Sequence, residues 1–584
     1  MTRMPTIDQT QQLPCYGYPA FIRQHIIRLI HESFPDETAG FSAALLIGND
    51  DGIDYETDIA FKVSGISHII AVSGFHVSVL FSLVHTLLGR KRWLSALVGL
   101  PVLFFFAAVA GFSASITRAC IMHSLMIIAT LFDKEYDPLT SLSFAVLCML
   151  VINPWTVANV SFQLSVFCML GILTLAEPIK QWIMERKFIA RVRGKVKKLA
   201  GGLASSVGMS IGATVFVTPF CAHYFGMVSL LGVLTNLLTL WVITIIFYGI
   251  MFACLAVLLW QPLGSVCGAI ISVPIRYVLG VSKLIASFPL TAVYTARIFI
   301  VLWLIFVYIL LLINLIAKRK HFLLTGCCAV IGLCIALMAS WTIPQQDECR
   351  VTVLDVGQGQ CILLQSDGKT YMVDCGGDVD TQVASIAAQE LMSQGVFRLD
   401  GLILTHYDRD HAAGVAYLLS RIPTDMLYLP NCTDEDGTLS SIERSDFNGK
   451  LFIDRITDVS FGNTDITLIP SKRDLSDKEA GLCVLFQTEN CDILITGDRS
   501  TSGERELMHQ IVLPELEVLI VGHHGSKYST GQALLDQTSP EIAIISVGGD
   551  NLYGHPAEET LRRLQEAGCE IYRTDLYGTV VYRG

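Results

Sequence analysis

The 584-residue sequence predicts a polytopic α-helical membrane domain followed by a separate α/β domain. Three observations predict this. Hydrophobic residues make up 52% of the chain and charged residues only 16%, a balance too apolar for one soluble core of this length. From Gly65 to Trp341, apolar stretches near the length that spans a bilayer follow one another. The charge balance reverses along the chain, with 23 Lys and Arg against 14 Asp and Glu before residue 344, and 18 against 38 from there on.

Taken in order, residues 1–64 read as a short N-terminal segment with an amphipathic piece near 19–32. Met1 to Gln12 is polar, unlike a cleavable signal peptide. Residues 65–343 form the membrane domain, with spans expected near 66–88, 93–111, 114–132, 139–152, 156–176 and 200–222, two between 228 and 260, and then 298–317 and 322–342. The stretch 264–290 contains Pro, Arg and Lys and reads equally as a crossing or as an interfacial segment. Basic clusters at Arg90-Lys91-Arg92, Lys180 to Lys198 and Lys318-Arg319-Lys320 belong in the cytoplasm by the positive-inside tendency. Counting crossings from any of them delivers the residues after Trp341 to the outer side of the cytoplasmic membrane. The 17 cysteines lie largely in apolar runs without CxxC spacing, as small hydrophobes do.

Residues 344–584 change texture. Short β-rich runs such as CRVTVLDVG, TYMVDCGG, LDGLILTH, CDILITGD and LEVLIVGHHG alternate with helical stretches such as 379–395 and 556–568, the pattern of an α/β domain. The strongest chemical signal is Thr405-His-Tyr-Asp-Arg-Asp-His411, which sets His406, Asp408, Asp410 and His411 directly after the apolar run LDGLILT. Imidazole and carboxylate ligands together suit zinc, manganese or iron, and two such cations need about this many donors. Three more apolar runs end in the same chemistry, at Asp498, at His523 and His524, and at His555. Parallel strands collect their ends at one sheet edge, so residues some 150 positions apart can meet there.

H-x-D-x-D-H followed by TGD, GHHGS and GHP, and preceded by LDVGQGQ and VDCGG, resembles the metallo-β-lactamase superfamily, and more narrowly the exofacial domain of the ComEC competence family. The resemblance runs from roughly 349 to 582 and implies an αββα sandwich. It implies that His406, Asp408, Asp410, His411, Asp498 and the pair His523 and His524 hold two divalent cations, Mn2+ or Zn2+, with Asp498 bridging. Which member of the pair binds is open. Water activated by the cations would attack a phosphodiester, with Asp410, His555 and Asp374 as the catalytic and supporting groups and Gln358, Ser526 and Lys527 at the substrate. Members of this branch usually show an Asn-acid-x-Ser stretch where this chain has Lys478-Glu479-Ala480-Gly481, which departs from the pattern. The acidic balance opposes nucleic acid, leaving the metals with Lys527, Arg409 and Arg499 to offset it.

In the membrane half, the run GISHIIAVSGFHVSVL from Gly65 to Leu80, the run from Gly111 to Ser124 and the run from Asn153 to Ile172 resemble the ComEC competence region in order and spacing. His68, Ser73, His76, Arg118 and Gln163 are the candidate path residues, because polar groups at membrane depth tend to face a bundle interior or a watery path. Family members usually carry further N-terminal spans and an OB-type barrel, and the residues ahead of the first span show no five-stranded pattern. The resemblance implies a DNA-uptake channel that imports one strand while the outer domain degrades the other. Its partners would be DNA, the membrane, a DNA receptor, an ATPase or helicase, and a second copy of the chain. Two alternatives are a channel whose C-terminal domain only docks, and a membrane-tethered phosphodiesterase. No Walker-type GxxxxGK[ST] is present, so ATP hydrolysis would come from a partner.

Overall fold

The computed structural model describes residues 18–89, 91–186, 189, 193–316, 322–343, 349–434, 437–444, 447, 449–472, 481–549 and 551–584. The chain divides into two compact units, Met1–Val293 and Tyr294–Gly584.

The first unit is helical: α1 (Tyr18–Ser33), α2 (Asp36–Ile47), α3 (Tyr55–Ser64), the single turn α4 (Ser67–Ile70), α5 (Gly74–Leu87), α6 (Arg92–Val109), α7 (Ala114–Leu131), α8 (Pro138–Ile152), α9 (Val160–Met184), α10 (Gly194–Tyr224), α11 (Gly232–Leu259) and α12 (Gln261–Ala286). The amphipathic piece near 19–32 is α1. Helix α2 has no polar face to signal it, and every residue from Thr38 to Ile47 is buried. Its Phe41, Leu45 and Ile47 share one apolar core with Ile243, Ile246, Phe247 and Ile250 of α11, and Thr38 hydrogen-bonds Ser272 of α12 across 2.9 Å. Residues ahead of the first expected span are therefore part of the helical core.

Two span expectations need correction. The two spans placed between 228 and 260 are the single helix α11, and most of the stretch 264–290 lies in α12, a helix long and apolar enough to cross a membrane. No Pro falls within residues 233–259 and Gly249 is the one glycine there, so the backbone ladder runs through them as one helix. The expected span 66–88 is instead broken between α4 and α5, where Ser73 N donates to His76 Nδ1 at 3.0 Å and caps α5. Helices α9 and α10 pass with their backbones almost touching, since a Cβ on Gly171 would lie 2.2 Å from Gly212 O. Small residues permit this approach in a membrane, where helix association depends on close packing.

The second unit opens with α13 (Ile298–Ile316) and α14 (Phe322–Thr342). The sequence sets its boundary near residue 344, but this helix pair is tied to the α/β domain: Trp341 packs edge-on against Phe397 at 5.7 Å, and Arg297 reaches Glu390 at 3.1 Å. Beyond it lie β1 (Arg350–Val353), β2 (Ile362–Ser366), β3 (Lys369–Val373), β4 (Leu399–Ile403), β5 (Thr424–Pro430), β6 (Lys450–Ile453), β7 (Thr457–Phe461), β8 (Thr464–Pro470), β9 (Leu482–Gln487), β10 (Asp492–Ile495), β11 (Val518–Ile520), β12 (Ile542–Ile545), β13 (Glu570–Arg573) and β14 (Val580–Arg583).

They form two seven-stranded sheets of order β14-β1-β2-β3-β4-β5-β6 and β13-β12-β11-β10-β9-β8-β7. Strands β3 to β6 run parallel, as do β10 to β13, with Val373 beside Ile403 and Ile495 beside Ile520 in register. Alternation along each strand explains the layers. Ile493, Ile495, Val518 and Ile520 join Val351, Val353, Val373 and Ile403 in the core between the sheets. Leu494, Leu519 and Ile545 face the other way, onto Leu507, Leu534, Leu535 and Leu564 of the covering helices.

Candidate metal centre

The parallel strands fix the site, because their C-terminal ends lie at one edge. β3 ends ahead of Asp374, β4 ahead of Thr405 and His406, β10 ahead of Asp498, β11 ahead of His523 and His524, and β12 ahead of Ser546. After β4 the chain is pinned by Tyr407, whose hydroxyl donates to Pro430 O at 2.8 Å, and then winds into the turn Arg409–Ala412. That turn swings Asp410 and His411 back toward His406. Gly376 is required beneath it, since a Cβ there would lie 2.2 Å from the Asp410 carbonyl carbon and the His411 nitrogen.

Among the described residues, ligand-type atoms form two overlapping groups, His406 with Asp410 and His411, and His411 with Asp498 and His524, each with its atoms within 4.8 Å of one another. Asp498 lies 3.2 Å from His411 Nε2 and 3.6 Å from both His406 Nε2 and His523 Nε2. Asp410 lies 3.3 Å from His524 Nε2, which is itself 3.3 Å from His411 Nε2. Asp408 is half-exposed and 4.0 Å from His406, at the margin of this set. Within the histidine pair, His524 is buried in the cluster while His523 stands at its rim. Both have left-handed backbones, with φ of 49° and 54°, and histidine is among the residues that tolerate this conformation.

The buried hydrogen bonds decide which nitrogen each imidazole offers. Asp374 is fully buried and accepts from Thr405 N at 2.7 Å, Thr405 Oγ1 at 2.7 Å, Gln360 Nε2 at 2.9 Å and His411 Nδ1 at 2.7 Å. His411 thus keeps its proton on Nδ1. The Thr405 hydroxyl spends its one proton on Asp374, so at 3.0 Å it accepts from His406 Nδ1. His524 Nδ1 donates to Ser546 O at 2.9 Å. All three rings turn Nε2 inward, and His406 Nε2 is buried without a hydrogen-bond partner. Imidazoles locked in this way, facing carboxylates, fit a divalent cation.

Electrostatics follow the same geometry. Burial works against the ionised forms of Asp498 and Asp410, yet His411 and His406 hold Asp498 well below the usual carboxylate range, and His524 and His411 do so for Asp410. Burial also opposes the His411 cation, but Asp498 and Asp374 raise its pKa well above the ordinary value. For His406, burial followed by the neighbouring His411 lowers the pKa.

The other sequence-predicted residues lie around this cluster or away from it. His555 has its ring 5.8 Å from that of His523, and burial followed by His523 lowers its pKa. Ser526 is buried and its Oγ accepts from Tyr528 N at 3.4 Å; Lys527 is exposed, with Nζ 5.0 Å over the Tyr528 ring; Gln358 Oε1 accepts from Gly548 N at 3.3 Å. Arg499, expected to offset charge, is buried and donates to Ile469 O and Gly481 O, so it presents no cation to solvent. The departure at Lys478-Glu479-Ala480 lies outside the described residues.

In the membrane unit, Ser73 and His76 sit at the break before α5, and the Arg118 guanidinium packs against Gly74, where a Cβ would lie 2.8 Å from Nη2. Arg118 Nη1 donates to Ser165 O at 3.0 Å. Gln163 is held apart from these, between Val157 O and Tyr224 OH at 2.9 Å each, and His68 is exposed.

Sequence reasoning missed Gln360, Thr405, Ser546 and Glu504. The first two stand inside the LDVGQGQ and THYDRDH motifs but carry no ligand chemistry. Glu504 is buried and accepts from Thr530 N at 2.5 Å and Gly531 N at 2.8 Å, while Thr530 Oγ1 accepts from Gly522 N at 3.2 Å. It thereby anchors the loop that carries His523 and His524, and no local pattern signals it.

Residues 45–320 match the model of the Competence protein family, and residues 354–426 that of the metallo-beta-lactamase superfamily. ComE operon protein 3 of Bacillus subtilis (strain 168) is 26% identical over 604 residues, covering 96% of this chain and 73% of that protein. Competence protein ComA of Neisseria gonorrhoeae is 26% identical over 572 residues, covering 93% and 74%. Among solved structures, the metallo-beta-lactamase fold protein YhfI from Bacillus subtilis is similar at 14% identity, covering 40% of this chain and 100% of that one, with a TM-score of 0.29. Seven described helices are long and apolar enough to cross a membrane, and the chain is a multi-pass membrane protein.

Proposed function

Since the chain joins a Competence family membrane domain to a metallo-beta-lactamase superfamily domain, we propose that it takes up DNA for transformation, importing one strand and hydrolysing the other. The hydrolysis is assigned to the C-terminal domain, on the outer side of the cytoplasmic membrane. The observation that supports this most is the set of three imidazoles locked with Nε2 inward against Asp410 and Asp498.

His406, Asp410, His411, Asp498 and His524 would hold two divalent cations, with Asp408 and His523 at the margin. Bound there, the cations supply Lewis-acid polarisation of the phosphodiester and lower the pKa of water. The chain's own residues do the rest. Asp374 keeps the His411 proton on Nδ1, the Ser546 carbonyl does the same for His524, and Thr405 for His406. His555, neutral near pH 7 because its pKa is lowered, offers a ring N–H to a phosphate oxygen at the His523 side of the cluster. In the membrane domain, Ser73, His76 and Arg118 meet at the α4–α5 break, where one guanidinium would pass phosphates along a polar path.

The deciding experiment uses metal-stripped full-length protein in nanodiscs, labelled single- and double-stranded DNA, and added Mn2+, Mg2+ or Zn2+, with Asp410→Ala alongside. Metal-dependent cleavage that disappears in the variant is expected. Metal binding without cleavage would instead leave a docking domain, and cleavage confined to small phosphodiesters would leave a tethered phosphodiesterase.

A further inference from the structure

A row of rings leads away from the metal cluster. His523 Nε2 lies 3.6 Å from Asp498; the His555 ring is 5.8 Å from His523; and the Tyr553 ring lies 6.0 Å from His555, only 13° from parallel to it. The row ends in the open, with Tyr553 73% exposed and Leu552 fully so. An aromatic exposed beside a candidate active site presents a flat apolar face to a ligand. Asn551 Nδ2 donates to Gly548 O and His555 O at 2.7 Å each, and its Oδ1 accepts from His555 N at 2.9 Å, so two bonds between Asn551 and His555 bracket Tyr553. A platform ordered in advance costs a ligand little to use.

Charge narrows what fits there. The C-terminal half carries 38 acidic against 18 basic residues. Close to the site, Arg563 is spent on Lys527 O and Ser529 O, Arg409 pairs with Asp380, and Arg499 is buried. Lys527 stays exposed over the Tyr528 ring, but with these arginines engaged, phosphate contacts, the usual source of nucleic-acid affinity, are few. Stacking on an aromatic face needs no cation and tolerates any base, but it requires a base whose face is free. In a duplex both faces are taken by neighbouring base pairs.

We propose that Tyr553, held parallel to His555 by Asn551, is a base-stacking subsite that selects single-stranded nucleic acid for the metal centre. This rests on the hydrolase reading above and adds the substrate form that the centre accepts. The strand would lay one unpaired base on Tyr553 and so carry its backbone past His555 toward the cluster.

The test compares two fluorescent probes on full-length protein in nanodiscs: an oligothymidylate, and an abasic deoxyribose-phosphate oligomer of the same length and charge. Anisotropy gives the ratio of their dissociation constants. The wild-type chain is expected to favour the oligothymidylate by about tenfold or more, the size of one stacked base. Tyr553→Ala is expected to bring the ratio close to one, and Tyr553→Trp to preserve it. A wild-type ratio near one, or a ratio kept by Tyr553→Ala, overturns the proposal. Mn2+-dependent cleavage of the oligothymidylate is scored separately. Base preference without cleavage leaves the subsite standing and removes the hydrolase reading, whereas cleavage without base preference does the reverse.

Discussion

Replacing Asp374 by Asn isolates the role of one buried carboxylate. The backbone there is left-handed, with φ of 59°, and Asn tolerates this as well as Asp, so the fold has no steric reason to change. The chemistry changes sharply. With the Asn oxygen kept toward Thr405 N, its NH2 group faces the Thr405 hydroxyl, the Gln360 amide and His411 Nδ1, all of which donate to the wild-type carboxylate. The hydroxyl can rotate and the Gln360 amide can turn over. His411 can only surrender its Nδ1 proton, which moves to Nε2, the atom aimed at Asp498. A ligand in the wrong tautomer, with its orienting carboxylate lost, costs about 10- to 100-fold in metal affinity, or about 1.4–2.8 kcal/mol. Imperfect pairing of the buried amide adds about 1–3 kcal/mol of lost folding stability. Calorimetric titration of the metal-stripped full-length protein with Zn2+ and Mn2+, beside thermal melts, separates the two effects. Wild-type metal affinity in a folded Asp374→Asn variant would refute the tautomer argument.

Two further outcomes concern pH and the packing of the membrane unit. In metal-stripped protein, Asp498 and Asp410 have lowered pKa values, so their contribution is present above the unfolded carboxylate pKa of about 4 and is lost as pH falls through the folded values. His411 is raised, so its contribution is present below about pH 6.5 and is lost as pH rises through its folded value. His406 and His555 are lowered, so they oppose folding as pH falls below about 6.5. Melting temperature should therefore be highest near about pH 6.5 and fall on either side, while bound Mn2+ removes the alkaline fall by displacing the His411 proton; a metal-stripped protein that grows steadily more stable above neutrality contradicts this. In the membrane unit, Gly171→Leu would drive a side chain into the Gly212 carbonyl and is expected to cost about 3 kcal/mol or more. Gly201→Leu, at a position with nothing within 4 Å, is the control, and equal melting temperatures for the two in detergent would count against the close α9–α10 approach.

The sequence by itself determined the order of the two domains, the apolar helices, and the ligand types that follow β4, β10 and β11. These are local properties: a bilayer-length apolar run needs no partner to be recognised, and a strand that ends in His-x-Asp-x-Asp-His declares its chemistry within six residues. Tertiary structure decided what depends on distant chain. Helix α2 belongs to the core because α1, α4, α11 and α12 pack around it, and a helix buried on every side shows no amphipathic period. His523 and His524 are adjacent and chemically identical, so only the left-handed turn after β11, braced through Thr530 by Glu504, sends one into the cluster and leaves the other at its rim. The proton position on each imidazole was likewise invisible, because it is set by Asp374, Thr405 and Ser546, which reach the rings only when the parallel strand ends are brought to a single edge.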